Sequence, residues 1–406
     1  TDAIRSYLDR DDLAEVSGRG TPTPDHLIRT KRVPLVLELD KSMGADTIRG
    51  QIRERLATYR DAYPAYVRDE STAKGREVSE LDPYPRVVLV PGLGIITADA
   101  TPKQARVAAD LHEHCVDVIE AAEAIGTYEV LPLGDVFDME YWGLEQAKLG
   151  KKKPRSLDGH VVVITGAASG IGEASARTFA AEGACLALLD RSEAPLRALA
   201  SELGALAIPC DVTDGPGLDD SLAQVVRKHG DTDGLVSNAG VAPQGTMHAL
   251  ADDTLRASFE VNFFAHQRAA AACVRVMRAQ GTGGFLLFNA SKAAFNPGKD
   301  FGPYAVPKAA LVALMKQYAL ENGDVGIRSN AINADRIRSG LLPADFVAER
   351  AAARGLDADQ YFRSNLLARE VTADDVARAF LHLALAPSTT GCTLTVDGGN
   401  IAASPR

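Results

Sequence analysis

The chain has 406 residues, 46% of them apolar and 24% charged, with a formal charge of −10. At roughly 100–200 residues per domain the length suits two domains, and the composition is that of an ordinary globular protein. An acidic chain offers no general basic face to nucleic acid or to an anionic membrane. No run approaches the ~20 apolar residues of a membrane-spanning helix. The first residues, Thr1-Asp2-Ala3-Ile4-Arg5, hold no apolar signal core and no initiator methionine. They read as a processed chain, or as a piece of a longer one, in the cytoplasm. Five cysteines, Cys115, Cys185, Cys210, Cys273 and Cys392, lie at neither metal-site nor redox spacing. They are expected as free thiols, mostly buried, in a reducing compartment.

In chain order, the first 149 residues are the less regular part. Helical patterns cover 47–59 and 101–125, and Arg86–Val90 reads as a short strand that exits through Pro91-Gly-Leu-Gly94. A basic cluster followed by Pro154 marks an exposed connection, taken as residues 150–157. From 158 to 406 the pattern changes. Apolar runs at His160–Ile164, Ala184–Leu189, Ala205–Cys210, Leu235–Ser237, Phe285–Phe288, Ile327–Ile332 and Thr393–Val396 alternate with helical segments. Such alternation predicts βαβ units: a doubly wound parallel sheet of about seven strands in an α/β fold.

Thr165-Gly-Ala-Ala-Ser-Gly-Ile-Gly172 closes the first of these strands and opens a helix. That context turns a weak glycine pattern into a dinucleotide site. Gly166 permits the tight turn, Gly170 lets the backbone approach a pyrophosphate, and Gly172 lets helix and strand pack closely. Ser169 and Ile171 lie in the same turn. The helix N-terminus then presents free N–H groups to phosphate. Asp190 ends the second strand 20 residues after Gly170, the interval expected of an acid that bonds the adenosine ribose. A carboxylate there favours NAD over NADP, and the adjacent Arg191 softens that preference.

Tyr304 and Lys308 stand four residues apart, on one face of a helix. A neighbouring ammonium is expected to lower the phenol toward working pH. The phenol would then serve as base for alcohol oxidation or as acid for carbonyl reduction. Pro307 inside this turn predicts a slight kink.

With these pieces in place, residues 158–406 resemble the short-chain dehydrogenase/reductase family. Further matching pieces are Asp211-Val212, Asn238-Ala-Gly240, Asn262, Asn330-Ala331, Val396-Asp-Gly-Gly399, and Ser291 thirteen residues before Tyr304. The resemblance implies a Rossmann fold and a small alcohol or aldehyde substrate. Tyr304 would exchange the proton, Lys308 would bond the nicotinamide ribose, Ser291 would hold the substrate oxygen, and Asn262 would anchor a proton-relaying water. Asp211 and Val212 would meet adenine, and Asn238, Ala239 and Gly240 the adenosine side. Ser339 falls where the family bonds the carboxamide. It also implies a homodimer or homotetramer. The family's usual Pro-Gly after the sixth strand is replaced by Asn333-Ala-Asp-Arg336, which puts two charged side chains by the substrate. The segment 341–369, with Arg350, Arg354, Tyr361 and Arg363, is the helical excursion that covers substrate in the family, and its chemistry would suit a small polar or anionic molecule.

Residues 1–149 resemble part of a class II aldolase fold. The carriers are Thr23-Pro-Asp-His-Leu-Ile-Arg-Thr-Lys-Arg32, Val88–Gly94 and Asp138–Lys148. The whole chain thus resembles the bifunctional rhamnulose-1-phosphate aldolase/alcohol dehydrogenase proteins. That resemblance implies rhamnose breakdown with lactaldehyde as carbonyl, or, alternatively, a zinc-dependent sugar-phosphate lyase. A zinc site needs about three imidazoles and a carboxylate. His26 is a single candidate, and His112-Glu-His114 lies on a predicted helix where neighbours two apart diverge, so it reads as surface. The expected aldolase-like domain is incomplete and without a metal site.

Overall fold

The computed structural model describes residues 1–40, 42–149, 155–340, 342 and 344–400, which fall into two compact units, Thr1–Pro154 and Arg155–Arg406. Each is an α/β structure.

The first unit opens with three short helices, α1 (Asp2–Leu8), α2 (Leu13–Gly18) and α3 (Pro24–Thr30). Strand β1 (Leu35–Val36) and the long helix α4 (Ala45–Lys74) follow, then β2 (Val87–Val90), β3 (Gly94–Thr97), α5 (Pro102–Ile125), α6 (Leu133–Glu140) and α7 (Gly143–Lys148). Strand β2 pairs parallel with β1 and antiparallel with β3. Cys115, Val116 and Ile119 of α5 bury against Val87 and Leu89 of β2. Helix α4 runs fifteen residues past the expected end at 59, straight through Pro64. Proline removes one helical hydrogen bond and crowds the carbonyl four back. This helix is half-exposed along its length, so the freed carbonyl is not trapped in a core.

The second unit is the predicted doubly wound sheet. Its strands are β4 (Val161–Thr165), β5 (Cys185–Asp190), β6 (Leu206–Pro209), β7 (Gly234–Ser237), β8 (Gly284–Asn289), β9 (Ile327–Ala334) and β10 (Thr393–Val396). They lie in the order β10-β9-β8-β7-β4-β5-β6, all parallel. Strand β4 is Val-Val-Val-Ile-Thr, every residue buried, because both faces of the sheet are covered. Helices α8 (Gly170–Ala181), α9 (Glu193–Leu203) and α16 (Ala373–Leu385) cover one face, where Ile164, Leu188, Phe179 and Phe380 are fully buried. Helices α10 (Gly215–His229), α12 (Ala265–Gln280) and α13 (Gly302–Asn322) cover the other, around Val163, Leu235, Leu286 and Met315. Burying a side chain of this size contributes ~1.5–3 kcal/mol over leaving it exposed. Helix α11 (Asp252–Phe259) reaches α12 through a π-turn, Glu260–Phe264. Two short helices, α14 (Ala344–Ala352) and α15 (Ala358–Arg363), form the excursion predicted after β9.

Of the predicted connection 150–157, residues 150–154, with their lysine cluster, lie outside the described part. Leu157 belongs to the second unit: it is buried in the α8/α16 core and its N–H donates to the Glu182 carbonyl. The chain reverses strand order between β4 and β7, and in open sheets of this kind ligands settle outside the carboxyl ends of the strands at that crevice.

Candidate active site

The glycine turn lies at that crevice. Gly166 (φ +65°) and Gly170 (φ +56°) occupy left-handed backbone that other residues rarely adopt. A β-carbon on Gly172 would stand 1.9 Å from the Gly166 carbonyl oxygen, and one on Gly166 would stand 2.9 Å from Ala239 Cα. Asn238 locks this approach: its Nδ2 donates to the carbonyls of Thr165 (3.2 Å) and Gly166 (3.1 Å). Thr165 Oγ1 accepts in return from the N–H groups of Asn238 (3.0 Å) and Ala239 (3.2 Å). The Asp190 carboxylate accepts from Ala168 N (3.1 Å) and Ser192 N (2.8 Å), which fixes it at the rim. The Asp211 carboxylate accepts from the Thr213 N–H and hydroxyl, and those bonds hold its pKa below the usual range.

A groove of about 460 Å³ is lined by Gly166, Ser169, Gly170, Ile171, Asp190, Arg191, Asp211, Val212, Asn238, Ala239, Gly240 and Ser339. These are the residues expected for cofactor, apart from Gly172, which is packed beneath the turn, and Tyr304 and Lys308. Ser169 makes no side-chain cap at the start of α8, so the helix's first N–H groups face the groove. The cradle therefore fits a dinucleotide pyrophosphate.

A second cavity, about 220 Å³, shares Ile171, Ala242, Asn289 and Ser339 with the groove, and Ser291 and Tyr304 line it. Ser291 hydrogen-bonds the Tyr304 phenol. Lys308, buried one helical turn on, places Nζ 5.8 Å from the centre of the Tyr304 ring and donates to the Asn289 carbonyl (2.7 Å). The expected lowering of the phenol is not found. Burial raises the Tyr304 pKa, the Ser291 bond opposes this, and Asp335 adds to the rise. The same burial presses Lys308 down to about 7, so the ammonium meant to tune the phenol is itself disfavoured.

Asn262 is fully buried inside the π-turn and reaches neither cavity directly. Its Oδ1 accepts from Val241 N (3.2 Å), and its Nδ2 donates to Val241 O (2.9 Å) and to Ser258 Oγ (3.0 Å). Ser258 passes the connection on, donating to the Pro303 carbonyl at 2.7 Å. That carbonyl is the one whose helical donor Pro307 removes. The helix carrying Tyr304 and Lys308 stays continuous through Pro307. Sequence reasoning missed Ser258 and Asn289, whose Nδ2 donates to Asn238 Oδ1 (2.8 Å). The freed carbonyl before Pro307 was the available signal for the first.

Beyond β9, Asp335 and Arg336 both face the second cavity, as the sequence placed them. They lie 3.5 Å apart, and Lys292 approaches Asp335 at 3.7 Å. The guanidinium of Arg336 lies over Tyr361 (4.7 Å) and that of Arg338 over Phe362 (4.1 Å), tying the excursion to the strand exit. Arg350, Arg354 and Tyr361 line the cavity; Arg363 is not among its lining residues.

In the first unit, His112 corrects the expectation of a surface helix. It is buried, its pKa is driven down to about 4, and its Nε2 has no partner among the described residues. His114 stacks on His26 with Nδ1 and Nε2 3.3 Å apart. Among the described residues, no three His, Cys, Asp or Glu side chains converge as a metal site. Cys115, Cys210 and Cys273 are buried free thiols, while Cys185 and Cys392 are half-buried.

Comparison with known proteins agrees with this geometry. Residues 166–400 match the family model described as enoyl-(acyl carrier protein) reductase, and residues 1–149 match that of class II aldolase, second domain. The chain belongs to the short-chain dehydrogenase/reductase family. Its members are NAD(P)-dependent oxidoreductases acting on alcohols and carbonyls. The uncharacterized oxidoreductase YuxG of Bacillus subtilis is 30% identical across 99% of this chain, which spans 62% of that relative's length. An L-rhamnose 1-dehydrogenase (NAD(P)(+)) of a Sphingomonas species is 31% identical over 60% of this chain and 96% of its own. The crystal structure of Gluconobacter frateurii L-sorbose reductase, complexed with NADPH and L-sorbose, superposes with a TM-score of 0.56 at 33% identity. It covers 61% of this chain and 98% of that one. No described helix is long and apolar enough to cross a membrane.

Proposed function

We propose that the second unit, taken as residues 158–406, interconverts an alcohol and a carbonyl on a small hydroxy-aldehyde, with NAD preferred over NADP. Lactaldehyde in deoxysugar breakdown is the concrete candidate. The observation that carries this is the Ser291–Tyr304 pair opening into a cavity that shares its wall with the glycine-lined groove, with Lys308 buried one helical turn behind the tyrosine. The likeness to a rhamnose dehydrogenase supports a sugar-derived substrate. A bound nicotinamide supplies the hydride chemistry. Gly166, Gly170 and the first N–H groups of α8 would hold its pyrophosphate, Asp190 the adenosine ribose, and Asp211 and Val212 the adenine.

The chain's own groups do the rest. Ser291 orients the substrate oxygen toward Tyr304. Tyr304 gives its phenolic proton to that oxygen in reduction and takes it back in oxidation. With its pKa raised, the phenol is a ready acid and a reluctant base at neutral pH. Asn262 holds the π-turn and the Val241 backbone that floors the groove, and the water relay implied for it would run beside Lys308. Closing the excursion over bound substrate would exclude water from the reacting centre. A cytoplasmic homodimer or homotetramer completes the reading, with the aldolase-like unit (1–149) as scaffold or oligomer contact. The decisive test is Tyr304→Phe. NAD-linked turnover should vanish while NADH binding, measured by fluorescence, survives; full activity in the variant would sink the mechanism.

A further inference from the structure

The wall of the cavity is rich in cations. Lys292, Arg336, Arg350 and Arg354 line it, with Asp335 as the single acid. Asp335 is already served: Lys292 and Arg336 approach it, and Asn400 Nδ2 donates to it at 2.9 Å. Arg336 is committed as well, donating to the Tyr361 carbonyl at 3.0 Å and to Ser364.

Arg350 and Arg354 are different. The Arg350 guanidinium lies over the rings of Phe301 (4.3 Å to the centre) and Phe346 (4.9 Å). Stacking satisfies the faces of a guanidinium and leaves its N–H edges in the plane. None of those edges meets an acceptor among the described residues. Arg354 spends one N–H on the Arg350 carbonyl (3.0 Å) and has no carboxylate in ion-pair reach among the described residues. Several arginines of this unit, Arg177, Arg268, Arg338 and Arg369 among them, are paired with acids, whereas these two line a cavity. In a chain where 54 carboxylates face 44 cations, two arginines turned to a cavity whose one acid is already engaged call for an anion from outside. A single ring, Phe301, separates Arg350 from Tyr304; the Phe301 and Tyr304 rings are 6.2 Å apart.

We propose that the stretch of cavity wall formed by Arg350 and Arg354 is an anion subsite. The substrate is a small hydroxy- or oxo-compound bearing a carboxylate or phosphate. Arg350, with Arg354, holds the anionic oxygens in a forked, charge-assisted grip, while the reacting C–O group lies at Ser291 and Tyr304. This rests on the oxidoreductase reading and replaces its concrete candidate with an anionic compound, since uncharged lactaldehyde would leave the arginines unmatched.

The test is equilibrium binding, by calorimetric titration, of glycerol, glycerol 3-phosphate and glycerate to the full chain saturated with NADH. With reduced cofactor these alcohols do not react. At least one anion should bind tenfold or more tighter than glycerol, and Arg350→Gln should bring the three within about threefold of one another. Arg350→Lys, which keeps the charge and loses the fork, should fall between. A gap for glycerol 3-phosphate alone assigns phosphate, and a gap for glycerate alone assigns carboxylate. Retained NADH binding certifies that each variant is folded; if Arg350→Gln fails that check, Arg354→Gln takes its place. Equal binding of all three compounds, undetectable binding included, overturns the subsite, as does a gap that survives the substitution. The Tyr304→Phe turnover assay is independent of both, so the two readings fail separately.

Discussion

Ser258→Ala removes one hydroxyl from a fully enclosed position and strands two partners. The Pro303 carbonyl loses its 2.7 Å donor, and Asn262 Nδ2 loses its 3.0 Å acceptor. Leaving a buried polar group unsatisfied costs about 1–3 kcal/mol. The pair of losses therefore amounts to ~2–6 kcal/mol. For a unit of this size 1 kcal/mol moves the melting temperature by ~2–4 °C, so the drop expected is roughly 4–24 °C. Scanning calorimetry on the full chain reads it, with the relevant transition recognised by its upward shift on adding NADH. The sharper measurement is a cycle with Pro307→Ala. Alanine restores a backbone N–H to the Pro303 carbonyl, so the hydroxyl matters less once proline is gone. The two changes should be coupled by about 0.5–3 kcal/mol. Strict additivity, or a Ser258→Ala melting point within 1 °C of the parent, would refute the idea that this hydroxyl compensates the proline.

Two further outcomes follow from the site. Because burial holds Tyr304 above its ordinary value, the phenolate that oxidation needs is scarce at neutral pH and grows about tenfold per unit below the pKa. The kcat/KM for alcohol oxidation with saturating NAD should thus climb steeply from pH 7 to 9, while carbonyl reduction, which needs the protonated phenol, holds over that range; an oxidation plateau by pH 8 would contradict this. Asp190→Ser removes the rim carboxylate. At a solvated separation near 4 Å, each of the two charges of a ribose 2′-phosphate dianion costs ~1 kcal/mol against the carboxylate, ~2 kcal/mol together, so the NADP-to-NAD ratio of kcat/KM should rise roughly thirtyfold, and an unchanged ratio would show that Asp190 does not set the preference.

The parts legible in the sequence are those written in local pattern. The apolar run 161–164, short and closed by a glycine turn, reads as a strand covered on both sides, and Gly166, Gly170 and Gly172 mark a turn where side chains have no room. The spacings of Asp190, Ser291, Tyr304 and Lys308 place them at strand ends and on one helix face. What was not legible depends on tertiary neighbours. The phenol's pKa rises because the whole fold encloses it, while Lys308 turns to a backbone carbonyl that no spacing reveals. His112 is buried because the apolar stripe of α5 happens to include it. Ser258 answers a proline 49 residues away, a match visible only once α11 lies against α13.

The excursion after β9 buries a small core of its own, Val347, Ala351, Tyr361 and Phe362, and is fastened to the strand exit by the guanidinium planes on Tyr361 and Phe362. Arg336 also bonds the Tyr361 carbonyl and Ser364, and Arg338 pairs with Asp359 and Glu370. Directional bonds of this kind fix the register of the two pieces as well as their distance. Arg336 is at the same time part of the cavity wall, so one side chain ties the position of the excursion to the shape of the room behind it.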